Sequence, residues 1–183
     1  MGKVVVGVTM SLDGFVADRH GDLNPLYPDL DALRKTEMLQ EELRTTGAAI
    51  MGRHAFDLAQ GDLTGYEFQV PIFVLTHQVP QQVIKGQNDK LSVHFVTEGV
   101  ESAVARAKAA AGDKNVIIIG GADTNQQILR AGLFDELMIG LAPILLGEGL
   151  RLFEHLGSLP HNFEKVKVFD SPDRVDILYR RIK

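Results

Sequence analysis

The sequence predicts a single α/β domain over residues 1–183: a mixed, mainly parallel sheet with helices on both faces and an antiparallel hairpin at the C-terminal end. Three observations predict it. Val116-Ile117-Ile118-Ile119 is a run of four β-branched residues, the pattern of a strand buried on both faces; Gly120-Gly121 stops it and a helical pattern follows, with Ile128, Leu129 and Leu133 on one face. Residues 48–58 repeat the arrangement, with a short apolar strand, Gly52, and a short helix. Residues 163–169 and 174–182 alternate apolar and polar side chains, and Asp170-Ser171-Pro172-Asp173 joins them as a turn.

The elements follow in order. Residues 3–10 (KVVVGVTM) form the first strand, and Gly7 inside it signals close packing against a neighbour. Ser11-Leu12-Asp13-Gly14 leaves that strand. Asp13 falls just past its C-terminal end, where open α/β sheets bind ligands, although Asp-Gly is also ordinary turn chemistry. Asp29 caps a helix over residues 29–46, with Leu30, Leu33, Leu39 and Leu43 as its apolar marks and Gly47 as its stop. Residues 48–51 are the second strand, and 55–58 a short helix. Between them Gly52-Arg53-His54 offers a glycine, a planar guanidinium suited to phosphate and a further donor; a solvated arginine and a capping histidine fit equally. Residues 60–69 are a loop, and 71–76 and 92–97 are strands, with His77 leaving the first of these. After Gly99, residues Val100, Ala103, Val104, Ala107 and Ala111 make an amphipathic stripe that belongs to the core. Residues 135–146 are a strand apolar on both faces, with Pro143 marking a bulge or edge and Gly147-Glu148-Gly149 a turn.

Composition narrows the function. The chain has 183 residues, 45% apolar and 23% charged, as expected of one globular domain. A net charge of −5 argues against nucleic-acid or anionic-membrane partners. With no cysteine, disulfides, thiolate zinc sites and thiol nucleophiles are excluded, and no metal ligand set stands out. The N-terminal residues enter a strand pattern at once, and no apolar run approaches the roughly 20 residues of a membrane span. A cytoplasmic protein is expected. The two strand–glycine–helix turns are candidate anion cradles, because glycine lets a ligand approach the backbone and a helix start presents unpaired N–H groups. Plain tight turns remain the alternative.

Five pieces together carry a resemblance: Ser11-Leu12-Asp13-Gly14, Met51-Gly52-Arg53-His54, Val74-Leu75-Thr76-His77, Ile118-Ile119-Gly120-Gly121-Ala122, and Asp135-Glu136-Leu137 leading to Pro143-Ile144-Leu145-Leu146-Gly147-Glu148-Gly149. In this order they resemble the dihydrofolate reductase-like superfamily. Within it they resemble the reductase domain at the C-terminal end of riboflavin-biosynthesis deaminase-reductases (RibD) and its stand-alone bacterial relatives. The resemblance implies NADPH and a hydride transfer to a small pyrimidine- or pteridine-like heterocycle, as in 5-amino-6-(5-phosphoribosylamino)uracil reductases. By it, Gly52, Arg53 and His54 would hold cofactor phosphates. Thr76 and His77 would lie by the adenosine, and Gly120, Gly121 and Ala122 against the diphosphate. Asp13 would be the catalytic residue: it would orient the ring and manage its proton, with partial burial raising its pKa. Asp29 and Asp31 compete for that role, and Glu148 could reach the substrate or be an exposed turn residue. The family's Pro-Trp step is absent, since the chain has no tryptophan. That favours the riboflavin-type branch over a true dihydrofolate reductase. A non-catalytic nucleotide-binding module and an FMN-binding flavodoxin-like fold are further alternatives, and the C-terminal hairpin opposes the last. A homodimer could form along the strand at 135–146 or the final hairpin.

Overall fold

The computed structural model describes residues 2–154, 156–157 and 161–182. The strands are β1 (Val4–Ser11), β2 (Phe15–Ala17), β3 (Thr46–Gly52), β4 (Ile72–Leu75), β5 (Val93–Val96), β6 (Asn115–Ile119), β7 (Glu136–Ala142), β8 (Leu150–Arg151), β9 (Phe163–Ser171) and β10 (Arg174–Arg181). The helices are α1 (Leu30–Arg34), α2 (Glu37–Thr45), α3 (Arg53–Leu58), α4 (Val100–Ala111) and α5 (Ala122–Arg130), with a 3-10 turn at Asn24–Leu26.

Eight strands form one sheet in the order β5-β4-β3-β6-β1-β7-β10-β9, and β2 pairs with β8 in a separate ribbon. Strands β5 to β7 of that order run parallel, and β10 and β9 add antiparallel pairs. The expected fold is therefore present. The β-branched strand β6 lies between β3 and β1, where both faces are covered, and Val116, Ile117 and Ile118 are all buried. Alternate side chains of the same strands feed two core layers. On one face Val4, Val6, Ile50 and Ile118 pack with Val104 of α4 and Ile128 of α5. On the other, Val5, Met51 and Ile117 pack with Met38 and Leu39 of α2 and Phe56 of α3.

Three sequence expectations need correction. The single helix at 29–46 is two. Asp29 caps only α1, accepting from the Ala32 amide at 2.8 Å. Thr36 then closes α1 by donating to the Leu33 carbonyl at 2.8 Å and opens α2 by accepting from the Leu39 amide at 3.3 Å. Secondly, Gly47 does not stop a helix. It sits within β3, where the register against β6 shifts between Thr46 and Ala48, beneath the end of α4. Thirdly, β7 ends at Ala142, before Pro143, and lies between β1 and β10. Its two apolar faces reflect burial inside the sheet, so it offers no edge to a second copy. The exposed edges are β5 and β9. Among the described residues no helix is long and apolar enough to cross a membrane.

A Cβ at Gly47 would lie 2.7 Å from the Ala111 carbonyl oxygen and 2.8 Å from Lys114 Cβ. Gly47→Ala should therefore cost about 1–3 kcal/mol by overpacking. A lowered urea midpoint with an unchanged slope would report it; an unchanged midpoint would show that α4 is free to shift.

Candidate active site

Parallel strands bring their C-terminal ends to one side of the sheet, so Gly52, Gly120, Gly121 and the end of β1 converge there. A cleft of about 630 Å³ opens along this region. It has two chemically different ends.

At one end the two glycine turns touch. The Gly52 amide donates to the Gly120 carbonyl at 3.3 Å. A Cβ on Gly52 would stand 2.5 Å from Thr124 Oγ1, and one on Gly121 would stand 3.6 Å from Gly52 Cα. Gly120 and Gly121 also take φ values of +72° and +88°, which L side chains rarely adopt. Two separate cradles in the sequence thus form one interlocked floor, beside the unpaired first-turn amides of α5. His54, Gly120, Gly121 and Ala122 line the cleft, together with Asn125. The Asn125 side-chain Oδ1 is buried and accepts no hydrogen bond from a described residue. Arg53, Thr76 and His77 do not line the cleft but stand beside it, at the end of β4. Arg53 Nε donates to both Asp57 oxygens at 2.8 Å, and its Nη1 donates to the Gln78 carbonyl at 3.1 Å and to Thr76 Oγ1 at 3.5 Å. The Thr76 hydroxyl donates to that same carbonyl at 2.8 Å, and His77 is exposed.

At the other end the polar lining is Thr9, Tyr27, Glu42, Tyr66, Arg174 and Asp176. Asp176 is fully buried, and burial pushes its carboxyl up while Arg174 pulls it back. Arg174 Nε donates to Asp176 Oδ2 at 3.0 Å, and Nη2 donates to Asp176 Oδ1 and, at 2.8 Å, to Thr9 Oγ1. Gly140 of β7 makes room for this pair, because a Cβ there would collide with the Arg174 guanidinium. Glu42 projects from α2 over Gly7 of β1; a Cβ on Gly7 would come within 3.8 Å of Glu42 Oε1. That oxygen is sealed from solvent and accepts no hydrogen bond from a described residue. Burial first, then the like charge of Asp176, pushes the Glu42 carboxyl up to about 7, against the opposing pull of Arg174. Tyr27, hydrogen-bonded with Thr9, is raised by burial.

Asp13 lies just past β1, as expected, but its carboxyl is held down rather than raised. Its Oδ1 accepts from Ser11 Oγ at 2.6 Å and from the Leu146 amide at 3.1 Å, and its Oδ2 accepts from the Gly147 amide at 2.7 Å. These bonds, led by Ser11, outweigh desolvation and hold its carboxyl down at about 2 rather than raising it. Asp13 does not line the cleft. It is a clasp that ties the Ser11–Gly14 turn to the loop after β7, and Arg151 locks the clasp by donating to the Asp13 carbonyl at 3.1 Å while stacking on Phe15. Asp29 and Asp31 are also elsewhere, one capping α1 and the other paired with Arg34 at 2.8 Å. Glu148 is an exposed turn residue paired with Arg19 at 3.0 Å. Sequence reasoning missed Glu42 and Asp176, although the signal was present. Glu42 lies three and four residues after Leu39 and Met38, on the buried face of α2. Asp176 shares a hairpin face with Leu178. Among the described residues no group of three or more acidic or histidine side chains is placed to hold a metal ion.

Comparison with known proteins agrees with this architecture. The uncharacterized proteins YwjB and YyaP of Bacillus subtilis strain 168 are 28% and 24% identical over 162 and 156 residues, covering 84% and 82% of this chain and 84% and 80% of theirs. Among solved structures, a Shewanella sp. PV-4 protein whose assignment to riboflavin biosynthesis is itself provisional superposes with a TM-score of 0.80 at 27% identity, over 99% of both chains. The Thermotoga maritima diaminohydroxyphosphoribosylaminopyrimidine deaminase/5-amino-6-(5-phosphoribosylamino)uracil reductase gives 0.75 at 16% identity, over 99% of this chain and 57% of that one. Dihydrofolate reductase from Enterococcus faecalis, solved with NADP(H), gives 0.66 at 18% identity, over 100% and 98% of the two chains, and so shares the fold. The family description "RibD C-terminal domain" matches residues 2–176, and the chain belongs to that family.

Proposed function

We propose that this protein is an NADPH-dependent reductase that transfers a hydride to a pyrimidine- or pteridine-like heterocycle. One observation carries the reading: a single cleft joins a floor of interlocked glycines at one end to a buried, proton-holding carboxyl at the other. Family membership supports it, as do neighbours whose names describe reductases, among them the riboflavin biosynthesis reductase Rib7 of Saccharomyces cerevisiae.

The residues fit the cofactor. Gly52, Gly120 and Gly121 leave space that any Cβ would fill, and Asn125 Oδ1 is a buried acceptor that a ribose hydroxyl or the carboxamide of the cofactor could satisfy. Gly52, His54, Gly120, Gly121 and Ala122 would hold the diphosphate side, and Arg53, Thr76 and His77 the adenosine side, where Arg53 would favour a 2′-phosphate. The bound cofactor supplies the hydride; the protein supplies orientation and a proton. Glu42, its carboxyl pushed up to about 7, would exchange that proton near neutral pH, close to the ideal for a general acid. Thr9, Tyr27 and the Arg174–Asp176 pair fix the polar edge of the ring, and the apolar walls exclude water. Asp13 contributes by shaping the loop that flanks the cleft.

A thermal-shift titration tests the cofactor. At about 100 times its dissociation constant, NADPH should stabilise the fold by roughly 2.7 kcal/mol, a rise of about 5–10 °C in melting temperature. NADH should do less, and Arg53→Gln should narrow the difference by about tenfold in affinity. No shift with NADPH would overturn the reductase reading.

The proton on Glu42 is tested by stability. Folded Glu42 keeps its proton to about 7, whereas its ordinary value is 4.5. Between these limits the folded state binds more protons, so this group's contribution falls as pH rises through the window. The fall should total roughly 3 kcal/mol, and Glu42→Gln should abolish it. Urea midpoints of both proteins from pH 4 to 8 would measure the difference; parallel curves would show that Glu42 titrates normally.

A further inference from the structure

We infer that the substrate end of the cleft selects an uncharged or cationic heterocycle that carries no phosphate. The inference rests on the reductase reading and narrows its substrate, away from the phosphoribosyl compound named for the Thermotoga maritima neighbour.

The charges at the substrate end do not favour a phosphate. A phosphate group needs an arginine fork, a lysine, or a cluster of free backbone amides. Among the described residues lining the substrate end, Arg174 is the one cation, and its charge is offset by the Asp176 carboxylate. The Arg174 side chain is 10% exposed, and its Nε and Nη2 are bonded to Asp176 and Thr9. The rest of the polar lining is Thr9, Tyr27, Tyr66 and the acids Glu42 and Asp176. With Glu42 ionised the cluster is net negative, and with Glu42 protonated it is neutral; neither state attracts a dianion. The surrounding wall is apolar, including Leu23, Leu30, Leu33, Met38 and Phe68, so a phosphate there would lose water without gaining a partner.

Two arginines outside the lining carry acidic partners of their own. Arg34 pairs with Asp31 at 2.8 Å and with Glu67 at 2.6 Å, and Arg19 pairs with Glu148 at 3.0 Å. His54 lies with the glycine floor, at the cofactor end. One acceptor at the substrate end has no donor among the described residues. Glu42 Oε1 is buried and accepts no hydrogen bond from a described residue, so a ring N–H or an exocyclic amine would satisfy it. Glu42 is faced by Asp176 and Arg174 from β10.

The test compares two ligands that differ only in one phosphate: a 5-amino-6-(ribosylamino)uracil and its 5′-phosphate. Affinities are measured by calorimetry at pH 8, on protein saturated with NADPH and on protein without it. The phosphate-free compound should bind at least tenfold more tightly. Glu42→Gln, nearly isosteric and checked for folding by its melting curve, should reduce that ratio several-fold by removing a negative charge. Equal or tighter binding of the phosphorylated compound would overturn the inference, and so would failure of both compounds to bind. NADPH binding is read in the same samples. A retained NADPH shift with the wrong ligand ratio sinks this inference and leaves the reductase reading; a missing NADPH shift with the expected ratio does the reverse.

Discussion

The contact between Gly52 and Gly121 is the constraint on which the site depends. Strands β3 and β6 are parallel neighbours with Met51 opposite Ile119, so both chains leave the sheet at the same level. They can turn into α3 and α5 side by side only if the residues at the turns carry no Cβ. A methyl group on Gly52 would press on Thr124 and drive the two helix starts apart. The cost would be more than local, because α3 also supplies Phe56, and α5 Ile128, to opposite core layers. The same absence of side chains that lets the strands close up leaves backbone bare on the cleft side. Packing and ligand access are thus two consequences of one requirement.

Glycine serves the polar end in the same way. Gly7 clears the floor beneath Glu42, and Gly140 clears the space that Arg174 and Asp176 occupy. Without Gly140 the buried pair could not lie across β7. Removing one partner of such a pair would leave an uncompensated buried charge, costing more than most core truncations. Glu42 lacks a dedicated partner of that kind, so it keeps its proton instead. Two carboxyls near one another thereby differ: Asp176 has a guanidinium against it, and Glu42 is pushed up to about 7.

Much of the fold was legible in the sequence because it is written in local pattern. The β-branched run of β6, the alternation of β9 and β10 and the small-residue stripe of α4 each require only period and burial. The glycine turns were legible for the same reason. The break between α1 and α2 was not, because Thr36 serves two helices at once and an apolar stripe hides it. The candidate site was legible only in part. Asp13 looked like a catalytic acid from its position after β1. Its real partners, the amides of Leu146 and Gly147, lie more than 130 residues away and become visible only once β1 and β7 pair. Glu42 and Asp176 come from a helix and a hairpin far apart in the chain, and only the sheet order brings them to one cleft. A local motif singled out Asp13 alone, and for all three residues long-range register decides what surrounds the carboxyl.

The central claim is that the interlocked glycine turns are the floor of a dinucleotide site. Hydrogen exchange measured with and without NADPH tests it most directly. The account predicts slowed exchange at the amides of residues 52–55 and 120–125, with smaller effects at 76–78. Unchanged exchange at both glycine turns, with protection appearing elsewhere, would contradict it.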